Sequence, residues 1–372
     1  MKFQVSKATL FKCLSHLNGI VDKKNSLPIL SNILIEAKEN FLTLSSTDMD
    51  ISIIEKINSD IKEEGSITIN AQIFYDVVRK LDDLSDIEII SNDGKLLTVR
   101  SKGSRFSLAC LPKEDFPIIE HSNEGTNIDI DSKTLSKLID KTKFAISNEE
   151  TRYFLNGIYF NLSNENETTN LTLVGTDGHR LAKFSHALSQ NIDDLPGVII
   201  PKKTINELSK LLSDIDENIS IIISSSKIIF YIGDVIFISK LIDGSFPDYK
   251  RVIPIDNSNI VEINRELLLS AVDRVSTVAN EKSPVIKFKF LNNIINLNTI
   301  NTENSSATED LNLSYSGDEF EIGFNSKYIM DIVNNLEDDI ITLKLKDGSS
   351  PITAQEKSNS NLVYVLMPMR VW

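Results

Sequence analysis

Cysteine is nearly missing from this chain: 372 residues hold two, Cys13 and Cys110. They stand far apart, each among core-like neighbours, and form no CxxC pair. That excludes a disulfide scaffold and a zinc site, and it points to a reduced, cytoplasmic setting. Histidine is equally sparse: His16, His121, His179 and His186 are all there is. No HExxH, HxH or mixed His/Cys cluster occurs, so no metal and no other cofactor is expected. GxSxG, Walker A and GxGxxG are absent as well. No apolar run approaches the ~18 residues of a membrane span, so no membrane partner is expected. The opening "MKFQVSKATLFKCL" lacks a basic region followed by an apolar block and cleavage site, and so does not read as a signal peptide.

Positive charge is also in short supply. Lys and Arg number 39 against 53 Asp and Glu, a net charge of −14. Taken as a sum, this argues against nucleic acid, whose phosphates need Lys and Arg. A sum does not say where the charges sit. At 41% hydrophobic and 25% charged the chain is an ordinary folded protein, long enough for two or three domains.

What is present is repetition. A strand followed by an amphipathic helix appears as "SITINAQIFYDVVRKLDD", "VIIPKKTINELSKLLSD" and "EIGFNSKYIMDIVNNLED". Phe74, Val77 and Leu81 align with Ile205, Leu208 and Leu212, then with Ile329, Ile332 and Leu336, one helical face in each copy. A second element recurs as "FQVSKATLFKCLSHL", "IDIDSKTLSKLIDKT" and "VEINRELLLSAVDRV". The first two units close on a Phe-Pro turn, Phe116-Pro117 and Phe246-Pro247, where a strand must end. The chain therefore reads as three α+β units of about 125 residues, close to the usual domain size, with boundaries at 1–122, 123–254 and 255–372. Each has two helices on antiparallel strands. Repeated domains with matching edges can pair end to end and close into a ring.

The predicted helices carry a basic bias that the whole chain lacks: Lys7 and Lys12; Arg79 and Lys80; Lys133, Lys137 and Lys141; Lys202, Lys203 and Lys210; Arg265 and Arg274. Lys133, Lys137 and Lys141 fall at i, i+4 and i+8, on one face. Lys23 and Lys24 lie in the loop after the first helix, and acids concentrate in loops and strand ends. Such lysines are either simply solvated or they line a common surface for nucleic-acid backbone. Without a recognition-helix motif or interleaved aromatics, that binding is non-specific in sequence.

The crowded stretch "LTLVGTDGHRLAKFS" admits two readings. Asp177 and His179 serve a hydrolase or nuclease, or Thr176-Asp177-Gly178 is a turn that presents a surface. The matching "SSTDMD" of the first unit favours the turn. At the other end, "YVLMPMRVW" places exposed-looking Leu366, Met367, Pro368 and Met369 at the chain end. They form either a last core strand or an adaptable groove wall for a peptide.

These motifs together resemble one family. "LPILSNILIE", the strand running into "LACLPKEDFP", "RYFLNGIYF", "TDGHRLA", "SKLIDGSFPDYKRVIP", "YSGDEFEIGFNSKYIMDIV" and "YVLMPMR" are similar, in order and spacing, to the bacterial DNA sliding clamp, the beta subunit of DNA polymerase III, over essentially the whole chain. The resemblance implies a non-catalytic processivity factor. Two three-domain chains pair head to tail as a homodimer, a six-domain ring whose helices line a pore for double-stranded DNA. It implies a pocket for short peptides of the polymerase III catalytic subunit, the clamp loader delta subunit, translesion polymerases and mismatch-repair proteins. Carried over by motif, that pocket is Leu155, Thr176, Gly178, His179, Arg180, Leu181, Pro247, Arg251 and Val252. Val365, Leu366, Met367, Pro368, Met369 and Arg370 complete it, bordered by Asn325 and Tyr328. In the dimer, Phe106 and Leu108 face Thr277 and Val278. Thr277 buries less than the larger aliphatic residues the family can carry. Lys102 and Arg105 face Glu303, Glu309 and Asp310, Lys24 faces DNA, and Trp372 stands at the pocket edge.

Overall fold

The computed structural model describes residues 1–21, 27–117, 119–165, 168–192, 195–213, 215–281, 284–301 and 305–370. Lys24, Glu303 and Trp372, each given a role above, lie outside these. Six α-helices are described: α1 (Lys7–Ile20), α2 (Ala71–Arg79), α3 (Ser132–Asp140), α4 (Lys202–Leu212), α5 (Arg265–Ser276) and α6 (Ser326–Asn334). The chain packs as two compact units, residues 1–136 with 203–241, and residues 137–202 with 242–372.

The first unit is built on one antiparallel sheet of thirteen strands. Its order is β10 (Thr126–Asp131), β15 (Asn218–Ile223), β16 (Lys227–Ile232), β17 (Val235–Lys240), β4 (Ile51–Asn58), β3 (Phe41–Thr47), β2 (Asn32–Lys38), β6 (Gly65–Asn70), β9 (Ser104–Leu111), β8 (Leu96–Ser101), β7 (Asp86–Ile90), β1 (Lys2–Ser6) and β5 (Asp60–Glu63). The second unit has two sheets. One runs β14 (Leu195–Pro201), β11 (Gly157–Glu165), β12 (Thr168–Thr176), β13 (Arg180–Ala187), β25 (Leu362–Leu366), β24 (Ile352–Glu356), β23 (Ile340–Leu345) and β18 (Asn259–Asn264). The other runs β21 (Ser306–Asn312), β20 (Ile294–Ile300), β19 (Val285–Leu291) and β22 (Phe320–Asn325).

The repeat visible in the sequence recurs in the hydrogen bonds. A strand delivers each helix, and its last residue is usually the cap. Ser6, Asn70, Asp131, Asn264 and Asn325 each accept a backbone N–H from the first helical turn, satisfying a donor the helix cannot. The first N–H of α1, α3 and α5 donates to the carbonyl just before β7, β15 and β23: Lys7 to Ser85, Ser132 to Glu217, Arg265 to Asp339. The first N–H of α4 and α6 does the same before β11 and β19, to Asn156 and Pro284.

The apolar faces bury as expected in α1 (Leu10, Cys13, Leu14, Leu17), α4 and α6. In α2 the buried position is Val78 rather than Val77. Two further expectations are corrected. Leu366 and Val365 are 1% and 2% exposed, because β25 is a central strand between β13 and β24. Lys141 lies just past the end of α3 and is buried at 8% exposure. Its ammonium donates to the Asn335 carbonyl at 2.6 Å and pairs with Glu337 at 2.7 Å. It therefore has no solvent face to offer DNA.

Candidate peptide-binding site

The β12–β13 turn explains itself from five residues. Thr176 Oγ1 donates to the Arg180 carbonyl at 2.6 Å and accepts the Gly178 N–H at 3.2 Å. Asp177 Oδ1 accepts the N–H groups of His179 and Arg180 at 2.9 and 3.0 Å. Gly178 sits at φ +86°, where only glycine is unstrained. The first unit builds the same turn from Thr47, Asp48, Met49, Asp50 and Ile51, bond for bond, with Met49 at φ +80°. The Asp177 carboxylate is thus committed to its own turn.

Arg180 is committed too. Its side chain is 10% exposed. Nε donates to Asp177 Oδ2 at 3.1 Å, Nη2 to the Phe144 carbonyl at 2.9 Å, and Nη1 to Asp331. The guanidinium lies over the Tyr328 and Phe144 rings, 4.4 and 5.2 Å from their centres. His179 is exposed and stacks on Tyr328, with centroids 6.1 Å apart.

The C-terminal strand docks beside this turn. β13 and β25 pair from Arg180↔Leu366 to Phe184↔Leu362. Beyond the ladder, the Met367 N–H donates to the His179 carbonyl at 2.9 Å and the Met369 N–H to that of Gly323 at 2.7 Å. Leu181, Val365, Val174 and Tyr249 form a buried cluster, with Phe246 and Ile253 packed against it. Leu181 and Leu155 are buried at 3% and 4% exposure. Of the other residues expected at this site, Met367, Pro368 and Met369 are half-buried and Pro247, Arg251, Val252 and Arg370 are exposed. Asn325 is spent as the cap of α6.

Sequence reasoning missed Asp331, Phe144 and Arg152. Asp331 is one helical turn from Tyr328, a spacing that puts both on one face of α6. Arg152 stands in the "RYFLNG" stretch that supplied Leu155. A Cβ on Gly178 would lie 2.8 Å from Arg152 Nη1, so this arginine covers the turn.

The basic residues assigned to DNA are mostly paired. Arg79 holds Asp76 at 2.8 Å, Lys133 holds Asp216 at 2.6 Å, Lys137 holds Glu337 at 3.0 Å and Lys210 holds Glu207 at 2.7 Å. Lys203 pairs with Asp48, and Lys202 donates to Asn148 at 2.7 Å. Lys80 is exposed. Phe106, Leu108 and Val278 are half-buried and Thr277 is exposed. Lys102 is held by Asp82 at 2.6 Å, and Glu309 by Arg274 at 2.5 and 3.0 Å. Neither is waiting for the other.

Sequence models of the DNA polymerase III beta subunit match nearly the whole chain: the N-terminal domain over residues 1–120, the central domain over 129–248 and the C-terminal domain over 250–370. The chain belongs to this family. Its relatives include the beta sliding clamps of Caulobacter vibrioides, 40% identical over 372 residues, and of Escherichia coli K12, 34% identical over 372 residues, each match covering 100% of both chains. The crystal structure of the sliding clamp from Bartonella birtlesii, bound to griselimycin, has a TM-score of 0.97 at 41% identity and full coverage of both chains. The fold is three clamp domains in tandem, helices on antiparallel sheets, and the function is that of a DNA sliding clamp. A ring-shaped homodimer around duplex DNA, and tethering of the polymerase to it, follow from that membership.

Proposed function

We propose that this clamp closes by pairing β9 of one copy with β21 of a second, and works as a non-catalytic, cytoplasmic tether. One observation carries the closure. The β4–β17 ladder runs from Ile51↔Ser239 to Glu55↔Val235, and the β13–β25 ladder occupies the same five positions relative to its turn. The repeat supplies one more pair of equivalent strands, β21 and β9. Among the described residues β21 pairs only with β20, and β9 pairs with β8 and, at Leu111 and Cys110, with β6. Both leave open edges of the kind that recruit a strand. Transferring the register matches Ala307 to Phe106 of the second copy. Phe106, Leu108, Thr277 and Val278 then supply the apolar contact, with Lys102 and Arg105 at its border.

The domain boundaries are 1–122, 123–254 and 255–372. DNA meets Arg79, Lys80, Lys133, Lys137, Lys202, Lys203 and Lys210. The pairs that Arg79, Lys133, Lys137, Lys203 and Lys210 make with acids exchange for phosphate, so binding is weak, non-specific and salt-dependent. The accessible lip of Met367, Pro368 and Met369, over a floor of Leu155 and Leu181, takes extended peptides with Leu or Phe anchors. Peptides of the polymerase III catalytic subunit, the loader delta subunit, translesion polymerases and mismatch-repair proteins compete for it. The hydrolase reading loses support because the carboxylate of Asp177 caps its turn and Arg180 is enclosed.

The test is topological. Clamp loaded on nicked circular DNA should fall off when the circle is linearised. Retention after cutting would sink the reading.

A further inference from the structure

The turn at Thr47–Ile51 and the end of β17 repeat the architecture of the Thr176–Arg180 site. The Lys240 N–H donates to the Asp50 carbonyl at 2.8 Å, as Met367 does to that of His179 at 2.9 Å. Half-buried Pro117 ends the first Phe-Pro turn and half-buried Ile119 follows it, as Tyr249 follows the second, and Ile119 packs on the Ile222, Ile229 and Ile238 cluster of the sheet face. A cleft of about 200 Å³ opens here, lined by Met49, Ser52, Ile119, Lys227, Ile238 and Lys240 among others. That is below the ~300 Å³ at which small-molecule pockets begin, so it suits one side chain of a longer ligand.

The lining differs from the second site in one consistent direction. Ser52 stands where the other turn has Leu181, and Lys240 where the other strand end has Met367. Lys227 and Lys240 are directly opposed on adjacent strands. Like charges so placed repel, and Asp50 answers Lys240 alone, at 3.0 Å. Glu120, the other acid of the cleft, is exposed. A ligand carboxylate over the two ammonium groups relieves the repulsion, and Ile119 with Ile238 gives a neighbouring aliphatic side chain an apolar floor.

We propose that this cleft is a second docking groove, for an extended acidic peptide of a partner protein carrying one aliphatic anchor. The inference rests on reading the Met367 site as a peptide site. The probe is a capped, fluorescein-labelled Glu-Asp-Leu-Asp-Glu peptide, followed by anisotropy on the full-length clamp. Binding should be saturable, should weaken about tenfold or more in Lys227→Glu and measurably in Lys227→Met, and should persist when residues 367–372 are removed. Circular dichroism checks that the variants are folded. No saturable binding, or binding indifferent to both Lys227 variants, overturns the proposal. A Leu/Phe-anchored peptide without acids reports the Met367 site separately: its loss on truncation upholds that site whatever the acidic peptide does.

Discussion

Arg180 and Tyr328 meet face to face, the guanidinium carbon 4.4 Å from the ring centre. Through this contact and its bond to Asp331, Arg180 fastens the β12–β13 turn to α6 and fixes the wall on which His179 stacks. Arg180→Ala leaves Asp177 and Asp331 without their cation. We expect a loss of about 2–3 kcal/mol in urea unfolding, because removing one partner of a largely buried pair costs more than the pair is worth. Peptide affinity should fall with it, while Arg251→Ala, on an exposed side chain, should lower affinity without touching stability.

Gly175 precedes the turn inside β12. A Cβ there would lie 2.5 Å from the Thr142 carbonyl oxygen, a backbone atom with no rotamer to yield. Gly175→Ala should destabilise by about 1–3 kcal/mol. An unchanged urea midpoint would mean that this close approach is not maintained.

Among the described residues after Leu366, the Met367 and Met369 N–H groups fasten the chain by backbone bonds. Removing residues 367–372 should abolish binding of a Leu/Phe-anchored peptide and leave the dimer intact by sedimentation. Loss of the dimer would make the tail a structural element.

Closure has a register to test. Phe106→Cys combined with Ala307→Cys should give a covalent dimer on mild oxidation, since directly opposed strand residues bring Cβ atoms within disulfide reach. Moving one cysteine a residue along should abolish the cross-link. Cys13 is buried, and burial pushes the Cys110 thiol up to about 11, so neither should compete.

Hydrogen bonds from Lys141 and then Lys137 hold the Glu337 carboxylate below its ordinary value of 4.5. A depressed carboxylate stabilises fully above its unfolded value and loses that contribution as pH falls through it and below. The urea midpoints of wild type and Glu337→Gln should differ at neutral pH and converge below about pH 4.5. A gap that persists in acid would assign the effect to packing.

The three-fold repeat, the helix faces and the role of "TDGHR" as a turn were legible in the sequence, because each depends on local periodicity or on five adjacent residues. The failures have physical causes. Helical spacing was extended through Lys141, but α3 stops at Asp140, and Thr142 Oγ1 turns back to the Leu138 carbonyl at 2.7 Å. In α2 both i+3 and i+4 satisfy a 3.6-residue period, so Val77 and Val78 could not be told apart. Leu366 looked exposed because it stands near the chain end, and the choice between core strand and groove wall turned on its neighbours β13 and β24, which lie far from it or are not marked by local pattern. The partners of Arg180 were not legible because Asp331 and the Phe144 carbonyl reach it from distant parts of the chain, which no window reveals.

The β4–β17 and β13–β25 ladders also order the protein's biosynthesis. A chain leaving the ribosome presents the free edge of β4 long before β17 exists, and that of β13 until the last strand, β25, is released. The β4–β17 seam can close as β17 emerges, whereas the β13 edge of the middle repeat still waits for β25. An unfinished chain is therefore sticky at the two seams that later hold its domains together. Charged and polar side chains stand along both waiting edges, Ser52, Glu55 and Lys56 on β4 and Arg180, Lys183 and Ser185 on β13, and residues of that kind discourage misjoining during the wait.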